Sequence, residues 1–284
     1  MKVGVLQFKP EFGQKEKNLA AVEKFLNTAQ ADLVVLPELF TTGYLFLTKE
    51  ELTSLAEPIP GPTTERLSAI ARKNNFSIVA GIAEFVPSSL ARNERVRDER
   101  ALRERAPNER ALYNSAVLVK PDGSCQVYRK AHLFRDEKKL FAAGDTPFTV
   151  HDIGTARIGM LICFDYMFPE ATRTLVLKGA QIICHPANLV LPVYGQEVPR
   201  TRAIENRVFF VTANRFGVEE RGKKKVGFTG ESQIVNPRGE VLVRAPASGD
   251  CLKVIEIDPK EADNKKVTEL NDLFRDRRTD LYEL

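Results

Sequence analysis

Cysteine and histidine are scarce in this chain of 284 residues, which holds four of the first and three of the second. Cys125, Cys163, Cys184 and Cys251 form no Cys-x-x-Cys pair, and so few histidines do not complete a usual zinc site. Neither a disulfide framework nor a metal centre is expected. No Gly-x-Gly-x-x-Gly follows a strand pattern and no P-loop signature occurs, which excludes the common dinucleotide and phosphate cradles; no cofactor is expected. No apolar run reaches membrane-spanning length, and the strand-like Met1-Lys2-Val3-Gly4-Val5 has no signal segment before it. The default expectation is a cytoplasmic protein with no membrane contact. A formal charge of +4 is too mild to call for nucleic acid.

What is present is an ordinary globular composition, 43% hydrophobic and 28% charged, with length enough for one large core. Short β-branched runs alternate with helical stripes. Val3 to Phe8 and Leu33-Val34-Val35-Leu36 read as strands, with a helix from Asn18 to Ala29 between them. Gly61-Pro62-Thr63 opens a helix to about Lys73, followed by a strand over Ser77 to Ala83. Strands at Leu112 to Val119 and Cys125 to Ala131 flank a Pro121-Asp122-Gly123 turn. Further strands are expected at Phe148 to Val150, Gln181 to Cys184, Val208 to Asn214, Gly230 to Val235, Val241 to Arg244 and Leu252 to Ile257, with a helix from about Val198 to Arg207. Interleaved strands and helices with added hairpins predict a layered α/β architecture with two sheets.

One stretch obeys neither helix nor strand period. Residues 91–110 are four tandem pentapeptides, each ending Glu-Arg. A period of five spreads the apolar residues around any helix and defines no core face. Seven arginines and five acids nearly cancel, with no aromatic residue between them, so a solvated arm is a better reading than a nucleic-acid contact.

The chemistry centres on Arg157-Ile158-Gly159-Met160-Leu161-Ile162-Cys163. This buried-strand pattern ends at a cysteine, and a helix is expected from Met167 to a stop at Gly179. A thiol on such a corner is rigidly held and lies near backbone N–H groups without helical partners. A free thiol titrates near pH ~8.5, so attack at neutral pH needs a base or a positive neighbour. Glu38 stands where the Leu33–Leu36 strand stops, and Lys130 lies in an otherwise apolar stretch with His132 two residues on. A Cys163–His132 pair and a Glu38–Lys130–Cys163 group are both compatible with the spacing.

The motifs Leu36-Pro37-Glu38-Leu39-Phe40 with Gly43-Tyr44, Tyr128-Arg129-Lys130-Ala131-His132, Gly159 to Asp165 with Phe168-Pro169-Glu170, and His185-Pro186-Ala187-Asn188 occur in one chain and in this order. Together they resemble the nitrilase superfamily of carbon–nitrogen hydrolases across nearly the whole length. The resemblance implies a single-domain, four-layer α-β-β-α sandwich spanning 1–284, usually paired as a homodimer. Residues 88–110 would be an insert and 270–284 a charged tail. It also implies a Glu–Lys–Cys triad, with Glu38 as general base, Cys163 as nucleophile, and Lys130 with the backbone N–H of Phe164 facing the oxyanion. Glu137 matches a second glutamate set against the lysine and the substrate amine. By motif position Tyr44, Phe164 and Asn188 are substrate-pocket candidates. In this reading the ion-paired cluster lowers the thiol pKa, and His132 braces the lysine loop. Asp165 meets an amine or caps the following helix. His185 is a loop hydrogen-bonder and Cys184 is core. The aromatic run after Cys163 favours a small, neutral aliphatic amide or N-carbamoyl compound, with an aliphatic nitrile as the alternative.

Overall fold

A computed structural model describes residues 1–87 and 111–282. Its strands, in chain order, are β1 (Lys2–Gln7), β2 (Leu33–Val35), β3 (Ser77–Val86), β4 (Ala111–Val119), β5 (Cys125–Arg129), β6 (Val150–Asp152), β7 (Arg157–Met160), β8 (Ile182–Pro186), β9 (Phe209–Ala213), β10 (Phe216–Arg221), β11 (Lys224–Thr229), β12 (Gln233–Val235), β13 (Val241–Arg244) and β14 (Cys251–Glu256). The helices are α1 (Lys15–Thr28), α2 (Lys49–Leu55), α3 (Pro62–Asn74), α4 (Glu137–Leu140), α5 (Pro169–Leu177) and α6 (Tyr194–Asn206).

The strands form two six-stranded sheets, ordered β14-β1-β2-β3-β4-β5 and β13-β12-β9-β8-β7-β6. Each has a parallel centre, β1-β2-β3 in the first and β7-β8-β9 in the second, with antiparallel flanks. Period-2 alternation decides the layers. In the first sheet Val3, Val5, Leu33 and Val35 face inward onto Ile158 and Met160 of the second. Leu6, Val34 and Leu36 face outward onto Leu19, Val22 and Leu26 of α1 and Leu67 and Ile70 of α3. Leu175 and Val176 of α5 and Ala203 of α6 join the core of the second sheet. The result is the single-domain α-β-β-α sandwich that the sequence implied. Both parallel centres bring the carboxyl ends of their strands to one end of the molecule, where such sheets gather chemistry.

Local signals explain most boundaries. Thr48 caps α2 by accepting the Glu51 N–H at 3.1 Å. Pro62 occupies the first turn of α3, and left-handed Asn75 ends it. Several boundaries shift, among them the start of α1, at Lys15 rather than Asn18, and the end of β3, at Val86 rather than Ala83. The helix placed from Val198 begins at Tyr194 and carries Pro199 inside it. The strand placed at Phe148 starts at Val150, and the one placed at Gly230 starts at Gln233. The helix placed from Met167 is split into a tight 3-10 turn over Cys163–Met167 and then α5, with Pro169 at the joint. The pentapeptide repeat lies outside the described residues. On either side of it β3 and β4 pair up to Val86 and Ala111. Among the described residues no helix is long and apolar enough to cross a membrane.

Candidate active site

Glu38 follows β2 on a turn closed by Leu39 at φ 51°. The turn is pressed against β3: a Cβ on Gly81 would lie 2.5 Å from the Glu38 Cα, so only glycine fits there. Phe40 N–H donates to the Gly81 carbonyl at 3.1 Å, and Gly81 N–H donates to the Pro37 carbonyl at 3.2 Å. Lys130 is the first residue past β5. Its backbone N–H donates to the Asn114 carbonyl, and its carbonyl accepts from Gly144. Arg129 beside it is fixed by a two-pronged bond to buried Glu84, at 2.8 and 3.0 Å.

Glu38 and Lys130 meet inside the protein. Lys130 Nζ lies 2.8 Å from Glu38 Oε1 and 2.8 Å from Glu137 Oε2, and neither the Lys130 nor the Glu38 side chain has any exposure. Asn114 Nδ2 donates a second bond to Glu38 Oε1 at 2.6 Å. Glu38 Oε2, also buried, has no hydrogen-bond partner among the described residues. A bare buried carboxylate oxygen is costly and therefore needs a reason. Burial alone would pull the Lys130 ammonium down, but Glu137 and Glu38 together outweigh it and hold it well above its ordinary range. Glu137 is pushed up, by burial first, with Lys130 opposing and Glu38 adding.

Cys163 comes from the other sheet. It opens the 3-10 turn after β7 at φ 41°, an uncommon conformation for a residue with a Cβ. The turn is held from two sides. Asp165, fully buried, accepts the Ile162 N–H, the Tyr128 hydroxyl and the His132 N–H, and pairs with His132 Nδ1 at 2.8 Å. His185 Nε2 lies 2.9 Å from the Cys163 carbonyl, and its Nδ1 lies 3.1 Å from the Thr212 hydroxyl. Burial pushes His185 down to about 4, so it is neutral. A carbonyl only accepts, so Nε2 carries the proton and Nδ1 accepts from Thr212.

The thiol, 5% exposed, approaches the Asn188 carbonyl at 3.7 Å. Asn188 Nδ2 donates to the Glu38 carbonyl at 3.0 Å, tying the two loops together across the sandwich. The cluster does not lower the thiol pKa. Burial first, then Glu38, raise it well above the ordinary value against the opposing pull of Lys130. The resting group is a neutral thiol beside a carboxylate with one free oxygen.

The four residues Glu38, Lys130, Glu137 and Cys163 are thus brought together. Tyr44 joins them: burial and then Glu137, Glu38 and Cys163 raise its hydroxyl, and it packs edge-on against Phe228 at 5.9 Å. Tyr44 and Glu137 also line a cavity of about 560 Å³ above the cluster. Phe164 packs on Phe134 at 4.9 Å and lines a different hollow with His132 and Phe168. Asn188 serves as a tie between loops. His132 stacks on Phe168 at 3.6 Å and addresses Asp165. Asp165 is a buried bracket that neither meets solvent nor caps a helix from Met167, and His185 belongs to β8.

Several positioning groups were not foreseen. Asn114 and Glu84 sit within strands that read simply as buried. Arg215 and Glu219 form a buried pair, and Glu219 accepts the backbone N–H groups of Tyr44 and Leu45. Their signal is weak, since a charged residue beside an exposed hairpin ordinarily reads as solvated.

A thiol on a strained turn beside a buried lysine–carboxylate cluster, between two sheets of an α-β-β-α sandwich, suits acyl-transfer chemistry. The sequence signature described as Carbon-nitrogen hydrolase matches residues 2–266, and the chain belongs to that family, within the nitrilase superfamily. It is 44% identical over 286 residues to a protein named nitrilase from Pyrococcus abyssi, covering 99% of both chains. It is 32% identical to an (R)-stereoselective amidase from Pseudomonas sp, covering 98% of this chain and 92% of that one. The crystal structure of an amidase from Nesterenkonia sp. shares the fold, with TM-score 0.73 at 24% identity over 99% of this chain and 94% of that one. The protein is therefore an enzyme of carbon–nitrogen bond hydrolysis.

Proposed function

We propose that the enzyme is an amidase that cleaves a small aliphatic amide or N-carbamoyl compound through a Cys163 thioester and releases ammonia. The observation that carries this reading is the unpartnered Oε2 of Glu38 beside a thiol kept neutral. As the bond from Sγ to the carbonyl carbon forms, the thiol proton passes to Glu38. The oxyanion develops against the Lys130 ammonium and the Phe164 N–H, where loss of one donor costs about 3 kcal/mol of barrier. The carbon–nitrogen bond then breaks, and the nitrogen leaves as ammonia with the proton from Glu38. Glu137, paired with Lys130, faces that amine. Water next attacks the thioester, gives its proton to Glu38, and the acid departs as Sγ takes that proton back.

The same groups would convert a nitrile to the acid and ammonia, and the resemblance to a relative named nitrilase favours keeping that second reading. Ammonia release from matched aliphatic amides, carbamoyl compounds and nitriles separates them, with Cys163→Ala as the blank. Amides turned over faster than nitriles support the amidase, and the reverse order promotes the nitrilase. Ammonia release that persists in Cys163→Ala would falsify the thioester route. We place the enzyme in the cytoplasm, where its four free cysteines stay reduced. We also propose a homodimer, supported by exposed Tyr194, Leu270 and Tyr282 on α6 and the tail. A monomer by sedimentation at micromolar concentration would count against it.

A further inference from the structure

The cavity above the cluster carries an excess of positive charge. Arg135, Lys139, Lys223, Lys224 and Lys225 all line it. Asp136 and Glu137 are the acids in that lining, and both are occupied. Glu137 is held by Lys130. Asp136 is shared by Lys224 at 2.7 Å and Lys139 at 3.3 Å. Lys225 pairs with Glu220 at 3.1 Å, but both are about two-thirds exposed and the pair is weak. The lining therefore presents more cations than it neutralises.

The charge is also well placed. Three of the lysines form the tip of the β10–β11 hairpin, and the Lys224–Asp136 pair latches that tip to the segment entering α4. Below it the walls are apolar, with Phe46, Phe134, Leu140 and Val226. Of the lining residues, Tyr44 and Glu137 interact electrostatically with the Cys163 thiol. An occupant would thus present a neutral reacting group at one end, an aliphatic stretch in the middle and a far end at the cationic rim. Of the aromatic run after Cys163, Phe164 packs on Phe134 and Phe168 on His132, and neither is among the residues that line this cavity.

We infer that the substrate is a monoamide or N-carbamoyl compound whose far end carries a carboxylate, selected by the hairpin lysines and Arg135. This rests on the amidase reading above. An ammonium at the far end would meet repulsion, since both carboxylates of the described lining are already paired, so the same rim discriminates against cationic substrates.

The test compares kcat/KM for glutaramate, pentanamide and the ω-amino pentanamide of equal length. Glutaramate should lead pentanamide by about tenfold, as a few partly exposed charge contacts allow, with the ω-amino amide last. The lead should reside mostly in KM and shrink in about 1 M salt. The double variant Arg135→Glu/Lys223→Glu should invert the order of glutaramate and the ω-amino amide. Equal rates with glutaramate and pentanamide, or an order that survives the double variant, would overturn the carboxylate assignment and leave amide hydrolysis standing. Absence of ammonia from all three would overturn both.

Discussion

The two sheets are alike in size, order and parallel centre, yet they contribute different chemistry. The β1–β5 half supplies every charge of the cluster: Glu38 after β2, Lys130 after β5 and Glu137 in α4. The β6–β9 half supplies the thiol and neutral polar groups, Cys163, His185 and Asn188. Charge on one side is tolerated because the Lys130 ammonium sits between the two carboxylates. On the other side a strained turn is held by the hydrogen bonds of buried Asp165 and His185. Neither half is competent by itself, and the Asn188–Glu38 bond closes the seam. Electrostatics and positioning are thus separable by mutation.

The largest effect should come from the charged half. Lys130→Ala leaves two buried carboxylates without their cation, and loss of one partner of such a group costs about 3–5 kcal/mol of stability. Ammonia release should fall by at least about a thousandfold, and the urea midpoint should drop with it. Retention of both would show that the charged half is not what the geometry implies.

The nucleophile half predicts a different signature. His185 is neutral when folded because burial holds it at about 4 against an ordinary 6.5. The unfolded chain takes up the proton first on acidification. The stability due to neutral His185 is therefore present above pH 6.5 and is lost as pH falls toward 4. Between pH 7 and pH 5 this amounts to about 2 kcal/mol. His185→Gln should flatten that slope in urea unfolding at the two pH values, and kcat should fall about tenfold as the Cys163 carbonyl loosens. An unchanged slope would mean that another group titrates there.

Smaller still should be His132→Ala. Asp165 keeps Tyr128 and Ile162, so kcat should fall only about threefold. A loss as deep as that of Lys130→Ala would instead make His132 the base and dissolve the division between the halves.

Much of this was legible in the chain. The Leu33–Leu36 run ending at Pro37-Glu38 and the Arg157–Ile162 run ending at Cys163 declare both the strands and the residues that stop them. Local pattern also placed α3, because proline and glycine punctuate it. What failed to show has common causes. β10 and β11 are mostly half-buried or exposed and rich in charge, so no apolar alternation marks them. α2 has a single buried side chain, Leu52. The upward shift of the thiol depends on how closely carboxylates from a distant segment approach, and no spacing encodes that distance. Asp165 reaches Tyr128 and His132, and His185 reaches the Cys163 carbonyl, across long stretches of chain, so these roles emerge only when the sheets pack.

The pairing of β3 with β4 has an engineering corollary. Nine rungs, from Ile78–Val119 to Val86–Ala111, fix the two strand ends beside each other. Once the ends are clamped, the length of chain spliced between them matters little, about 0.6 kcal/mol for each doubling. The rim at Val86 and Ala111 is thus a natural grafting port. A reporter module or affinity handle substituted for residues 88–110 should leave the melting temperature nearly unchanged, because the register is written in the strands on either side.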